Sequence, residues 1–426
     1  MVKIEPRTLK GFRDYGPKEQ LARQQMFAKI QSVFERFGFL PLSTPVLEYK
    51  DILMGKYGEE GDRLLYSFKD NGDRDVAMRY DLTVPMARFV AQNQNKLAYP
   101  FKRYQIAPVW RGENTQKGRL REFYQCDIDI VGTESRTADA EVMACICLAL
   151  EALGVTNYEL RINDRRIFSI FTGADQAEII RAVDKLDKVG REGVLEELRN
   201  KGMSQDIMEK VEWFLNLAEG DPGKLGEQMM EGQLKVVWDS MFALQSNLKT
   251  MGVEWANIKF SPTTARGLDY YTSTVFEIVL KNAPEFGSVA GGGRYDGLVD
   301  TFSDKSLPAV GGSIGIDRLF AALESMNLIQ SVPAIKALVV NQDESLQDDY
   351  LAFVTSLRRK GVNAELYYEA VKLDKQFKYA DFKGIPFAVI MGQDEKNKGV
   401  VLVKNLETRE QEEVSIDALT SYLTKA

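Results

Sequence analysis

The 426-residue sequence contains no histidine. That absence excludes a Ser-His-Asp or Cys-His nucleophile, an imidazole general base and any His-ligated zinc. Cysteine is scarce too: Cys126, Cys145 and Cys147 are too few and wrongly spaced for a disulfide framework or a four-thiolate metal site, and they read as buried filler. No apolar run is long enough to span a bilayer, and the start MVKIEPRTLKGFRDYGP lacks the apolar stretch of a signal peptide, so no membrane partner and a cytoplasmic setting are expected. Excess positive charge is also missing. Fifty-five basic residues stand against 62 acidic ones, a net charge of -7, which argues against a chain held to nucleic acid by overall charge alone. Chemistry is left to carboxylates, arginines, lysines, backbone amides and the substrate itself.

What is present suggests two or three domains. Apolar residues at helical spacing predict a helix from Pro17 to Phe37, stopped by Gly38. The segment FLPLSTPVLEYKDIL reads as extended chain broken by Pro41 and Pro45, and Leu64–Lys69 with Val76–Arg79 reads as a hairpin across Asn71-Gly72-Asp73. Strands are expected at Phe101–Trp110 and Phe123–Val131, a helix at Ala138–Leu153 and a strand at Tyr158–Ile162. No regular βαβ rhythm appears, so an α+β fold with a mostly antiparallel sheet is expected. Residues 174–252 carry helical stripes throughout and read as a helical insertion, after which β-rich, glycine-rich sequence resumes to about residue 329. From 334 to 426 strands and helices alternate, predicting a separate C-terminal α/β domain.

Glycine clusters first suggest a phosphate loop, but GxxxxGK[ST] is absent, and neither Gly291-Gly292-Gly293 nor Gly311-Gly312-Ser313-Ile314-Gly315 fits GxGxxG between a strand and a helix. Seven arginines sit beside strand ends or glycines instead: Arg79, Arg111, Arg119, Arg121, Arg266, Arg294 and Arg318. Guanidinium groups are always charged and can bind two phosphate oxygens at once, so they can do the work of a glycine loop.

Three segments occur in a telling order: FKRYQIAPVWRGENTQKGRLREFYQCDID, RGLDYYTSTVFEI and GGSIGIDRLF. They resemble motif 2, the family-specific motif and motif 3 of the histidyl-tRNA synthetases, a family of class II aminoacyl-tRNA synthetases. KGFRDYGP, MRYDLTVPMARF and GSVAGGGRYDGLV are similar to further segments of that family, and FGFLPLSTPVLE resembles its motif 1. The resemblance implies a class II catalytic domain over 1–329 and an anticodon-binding domain over 334–426. The activity it implies has two steps: the carboxylate of L-histidine attacks the α-phosphorus of ATP, and the histidyl group then passes from the adenylate to tRNA-His. It further implies a homodimer, and Mg²⁺ bound mainly through ATP phosphates, with no metal site made by the protein alone.

On the matched positions, Arg111 and Arg266 would clamp the α-phosphate, and Arg318 would lie against the adenine and terminal phosphate. Glu113 and Arg119 would complete the ATP site. Asp81 and Thr83 would hold the substrate's amino group, Gln125 would help orient the amino acid, and Asp129 with Tyr271, beside Tyr270, would read the imidazole nitrogens. Gly291, Gly292 and Gly311 would keep the pocket floor open. The alternative is a catalytically silent relative serving as a regulatory subunit of ATP phosphoribosyltransferase; such relatives typically lose catalytic arginines or the C-terminal domain, and Arg111, Arg266 and Arg318 are all present here.

Overall fold

A computed structural model of the chain describes residues 4–115, 118–171, 175–219, 229, 232–265, 270–329 and 333–425. The chain divides into two compact units, one formed by Met1–Gly16 with Arg23–Ile329 and the other by Pro17–Ala22 with Gln330–Ala426.

The first unit is built on an eight-stranded sheet. Its strands are β1 (Leu40–Pro41), β5 (Phe101–Trp110), β6 (Glu122–Val131), β7 (Tyr158–Asp164), β8 (Ile258–Phe260), β9 (Thr274–Leu280), β10 (Ser288–Arg294) and β11 (Ala309–Gly315). They lie in the order β1-β5-β6-β11-β10-β9-β7-β8, antiparallel except for the edge pairs β1 with β5 and β7 with β8. A smaller antiparallel sheet holds β2 (Leu47–Tyr49), β4 (Asp75–Met78) and β3 (Ser67–Lys69) in that order. The mostly antiparallel α+β expectation therefore holds. The second unit carries a five-stranded sheet, with β12 (Ala337–Val339) parallel to both β13 (Ala364–Leu366) and β14 (Phe387–Ile390), followed by antiparallel β15 (Val400–Asn405) and β16 (Gln411–Ser415). Helices Gln347–Arg359 and Leu373–Lys383 connect the parallel strands, as α/β alternation requires.

The back of the large sheet is covered by the helix Arg136–Ala152, which Ser135 caps by accepting a hydrogen bond from the Thr137 amide. A Cβ on Gly312 would lie 2.6 Å from Ile146 Cδ1 and 2.7 Å from Phe276 Cζ, so any larger residue would have to push these buried side chains aside where helix and sheet approach. The front is bounded by a cluster containing Leu53, Tyr57, Tyr80, Val84, Met86, Ala87, Val90 and Tyr295.

One local expectation needs correction, and one helix was not anticipated. Lys50–Leu53 is helical, not extended, because fully buried Leu53 turns into that cluster. The helix Thr83–Asn93 was not foreseen: Val84, Met86, Ala87 and Val90 are buried, and Pro85 sits within its first turn, where a proline is tolerated. Within the stretch 174–252 the described residues form helices Asp175–Val183, Leu186–Asn200, Gln205–Glu219 and Gly232–Thr250.

Candidate active site

β6 reads Gln125-Cys126-Asp127-Ile128-Asp129-Ile130, and alternate side chains of a strand point to opposite faces. Cys126, Ile128 and Ile130 face the back. Gln125, Asp127 and Asp129 face the front, yet they are as buried as their apolar neighbours. A buried polar row needs partners, and the register supplies them: β5 sets Arg103 opposite Asp129, while β11 sets Gly311 opposite Asp129 and Ser313 opposite Asp127.

Arg103, fully buried, places Nη2 2.5 Å from Asp129 Oδ2 and donates to the Leu82 carbonyl at 3.1 Å. The charges touch without an aligned hydrogen bond, and Arg103 Nε and Nη1 have no hydrogen-bond partner among the described residues. The Tyr295 hydroxyl donates to Asp129 Oδ1. Burial raises the Asp129 pKa, and Arg103 and Tyr295 only partly oppose it. Asp127 is pushed up to about 7, first by burial and then by Asp129 and Asp81, against the pull of Arg103 and the Ser313 hydroxyl. Gln125 donates to Ser313 Oγ at 2.8 Å, leaving its buried Oε1 without a partner among the described residues.

Asp81 lies just before the helix Thr83–Asn93. Its Oδ1 accepts from the Tyr57 hydroxyl and the Val84 amide, each at 3.0 Å, while its buried Oδ2 has no partner among the described residues. Burial holds its pKa above the usual carboxylate range despite that amide and the charge of Arg111. Thr83 is buried at the first helical position. Buried polar atoms left without partners on one face are unused hydrogen-bonding capacity that a polar ligand would satisfy.

The glycines separate into two roles. A Cβ on Gly311 would strike Asp129 Oδ1, and one on Gly293 would lie 2.8 Å from Tyr271 Cδ1. Gly293 and Gly311 are cross-strand partners, so Asp129 and Tyr271 stand over neighbouring positions of one floor. Gly291 pairs with Ser313 on the same face. Gly292 pairs with Gly312, and its Cβ would lie 2.5 Å from Gly312 Cα, so the close approach of two strands is enough to require it. Tyr270 packs on Tyr271 and Tyr295 at ring separations of 4.9 and 5.6 Å.

The arginines gather at the adjoining end. Arg111 donates from Nε to the Tyr80 carbonyl at 3.1 Å and lies 4.3 Å over the Tyr80 ring. Glu113 accepts from Arg119; burial alone would raise the Glu113 pKa, but Arg119, Arg111 and Arg318 together hold it below the usual value. Arg318 donates to the Ser288 carbonyl at 2.5 Å. Three cations around one ionised carboxylate make a site for a polyanion. Arg266 lies outside the described residues. Of the other arginines noted in the sequence, Arg79 ties the Thr44 and Pro108 carbonyls together, and Arg294 pairs with Asp139, so both have structural work.

Sequence reasoning missed Arg103, Asp127, Tyr57, Tyr295 and Gly293. The alternation within QCDIDI could have revealed Asp127. Nothing local marks Arg103, whose partner is set by strand register.

Buried carboxylates beside an arginine cluster suit an amino acid and a nucleotide. The family model described as Histidyl-tRNA synthetase matches residues 11–319, and the one described as Anticodon binding domain matches 336–426. The histidine–tRNA ligase of Rhodopirellula baltica is 42% identical over 97% of this chain and 96% of its own length, and that of Cytophaga hutchinsonii 40% identical over 98% and 99%. The crystal structure of histidyl-tRNA synthetase from Nostoc sp. PCC 7120 superposes with a TM-score of 0.87 at 30% identity, covering 99% of this chain and all of that one. With both family models matched in order and full-length similarity to these ligases, the chain belongs to the histidyl-tRNA synthetase family.

Proposed function

We propose that this chain is a histidine–tRNA ligase: it activates L-histidine with ATP and transfers the histidyl group to tRNA-His. The observation that carries the reading is the buried polar face of β6 beside the cluster Arg111, Arg119 and Arg318. Asp81, with its unpartnered Oδ2, receives the substrate ammonium, with Thr83 beside it. Gln125 orients the amino acid, and Asp129 and Tyr271 take the two imidazole nitrogens, Tyr270 backing Tyr271. The substrate carboxylate is already ionised at neutral pH, so the first step needs alignment and charge neutralisation rather than a base. Arg111 and Arg266 neutralise the α-phosphate, Arg318 and Arg119 hold the rest of ATP, and Gly291 and Gly311 belong to a floor without side chains, whereas Gly292, expected there, faces the back of the sheet with Gly312.

Mg²⁺ fits here as a companion of ATP. No cluster of three metal-ligating side chains exists among the described residues, while ionised Glu113 lies within the arginine cluster, so the ion would be held chiefly by phosphate oxygens and would supply further charge neutralisation.

Residues 1–329 act as the catalytic domain, the helical insertion of about 174–252 lies near the tRNA acceptor arm, and 334–426 bind the anticodon. The working form is a homodimer in the cytoplasm. Leu40, Val46, Leu47, Tyr49 and Phe68 leave an apolar surface on and around the short strands β1 to β3, which favours a second copy. No described helix is long and apolar enough to cross a membrane. Charging of a tRNA-His transcript with labelled histidine tests the whole reading: histidyl-tRNA should form only with ATP present, and its absence with folded protein rejects the assignment.

A further inference from the structure

The segment Lys10–Tyr15, part of the KGFRDYGP motif, has no role in the reaction described above, yet it touches both arginine-bearing parts of the site. At one end, the Gly11 carbonyl accepts from the Arg121 amide at 2.8 Å, and the Arg121 carbonyl accepts from the Arg111 amide at 2.9 Å. Arg121 also donates from Nε to the Glu113 carbonyl at 3.0 Å. Gly11 has φ +87°, and a Cβ there would fall 2.7 Å from Arg121 Cδ and 2.9 Å from Thr115 Cγ2. Only glycine allows this approach.

At the other end, the Tyr15 hydroxyl donates to Asp317 Oδ1. The same oxygen accepts from Arg23 Nη1 at 2.6 Å, and Asp317 Oδ2 accepts from the Tyr124 amide at 2.7 Å. The Arg23 guanidinium lies 4.0 Å over the Tyr15 ring. Asp317 immediately precedes Arg318 in the first turn of the helix Ile316–Ser325, and Tyr124 immediately precedes Gln125. One hydroxyl thus reaches the carboxylate that ties β6 to the Arg318 helix.

We propose that Lys10–Tyr15 is a positioning strap for the ATP end of the site, with Gly11 aligning Arg111 and Glu113 through Arg121, and Tyr15 aligning Arg318 through Asp317. The strap touches neither Asp81 nor Asp129 in any contact described, so its loss should weaken ATP far more than histidine. The proposal rests on the ligase reading for the identity of the nucleotide.

The test uses the full chain with Tyr15→Phe and Gly11→Ala. Calorimetry gives the dissociation constant for Mg-ATP, and pyrophosphate exchange gives KM for ATP and for histidine. Both variants should weaken ATP by both measures, about tenfold for Tyr15→Phe, as for loss of a hydrogen bond to a charged group, with KM for histidine within about twofold of wild type. Unchanged ATP constants in folded variants overturn the proposal, and so do ATP and histidine constants that rise together, which would signal general loosening. If one variant fails to fold by circular dichroism the other decides, and if neither folds the segment is a folding element and the proposal falls. Wild-type protein that binds ATP but shows no histidine-dependent exchange rejects the ligase reading instead, while the calorimetric comparison still judges the strap.

Discussion

The two faces of β6 are equally dry and chemically opposite. Behind the sheet, Cys126, Ile128 and Ile130 join the side chains of the helix Arg136–Ala152 in an apolar core. In front, Gln125, Asp127 and Asp129 are buried with Arg103 and with atoms whose hydrogen-bonding capacity is unused. Burying an ion pair costs several kcal/mol in desolvation and is weak evidence of stabilisation. The back face therefore holds the fold together, and the front face is a liability that makes sense when a polar ligand completes it.

The sharpest way to break this comparison is at the phosphate end. Arg111→Ala should lower kcat/KM for pyrophosphate exchange by about 10³-fold, the scale seen when one electrostatic stabiliser of a transition state is removed, while melting within a few degrees of wild type. Loss of folding instead would make Arg111 structural. On the back face the outcome should reverse: Ile128→Ala should cost about 3 kcal/mol in denaturant unfolding, since it empties buried volume, and should leave both KM values within about twofold. A selective rise in KM for histidine would show that the faces are coupled.

The smallest effect concerns Asp127. Its pKa in the folded protein, about 7, lies above the ordinary 3.8. Between those values the native chain keeps a proton that the unfolded chain releases, so this group's contribution is fully present below about pH 4 and is lost as pH rises through 7. An asparagine at this position would stay neutral throughout. Asp127→Asn should therefore melt at least about 2 °C above wild type at pH 8, with the gap closing by pH 4. An identical pH dependence in the two proteins would remove Asp127 from the buried charge balance.

Much of the fold was legible because its signals are local. Alternation marked β5 and β6 to within a residue, and helical spacing with Gly38 at φ +78° marked the helix Pro17–Arg36. The helix Thr83–Asn93 was harder to read, being only eleven residues long and carrying Pro85. In the site, the order of the motifs led to Arg111, Glu113, Gln125 and Asp129, because chain order is visible in a sequence. The opposition of Arg103 and Asp129 is a matter of register between strands, and the Tyr295–Asp129 contact spans 166 residues. Neither leaves a periodic trace. Gly293 escaped for a related reason: three consecutive glycines look alike until the pleat assigns Gly292 to one face and its neighbours to the other.

The most direct test of the account is pyrophosphate exchange with each of the twenty amino acids in turn. The proposed recognition of imidazole by Asp129 and Tyr271 beside the arginine cluster predicts ATP–pyrophosphate exchange with histidine and at most a trace with any other amino acid. Exchange with a different amino acid, or none with any while the protein is folded, would contradict it.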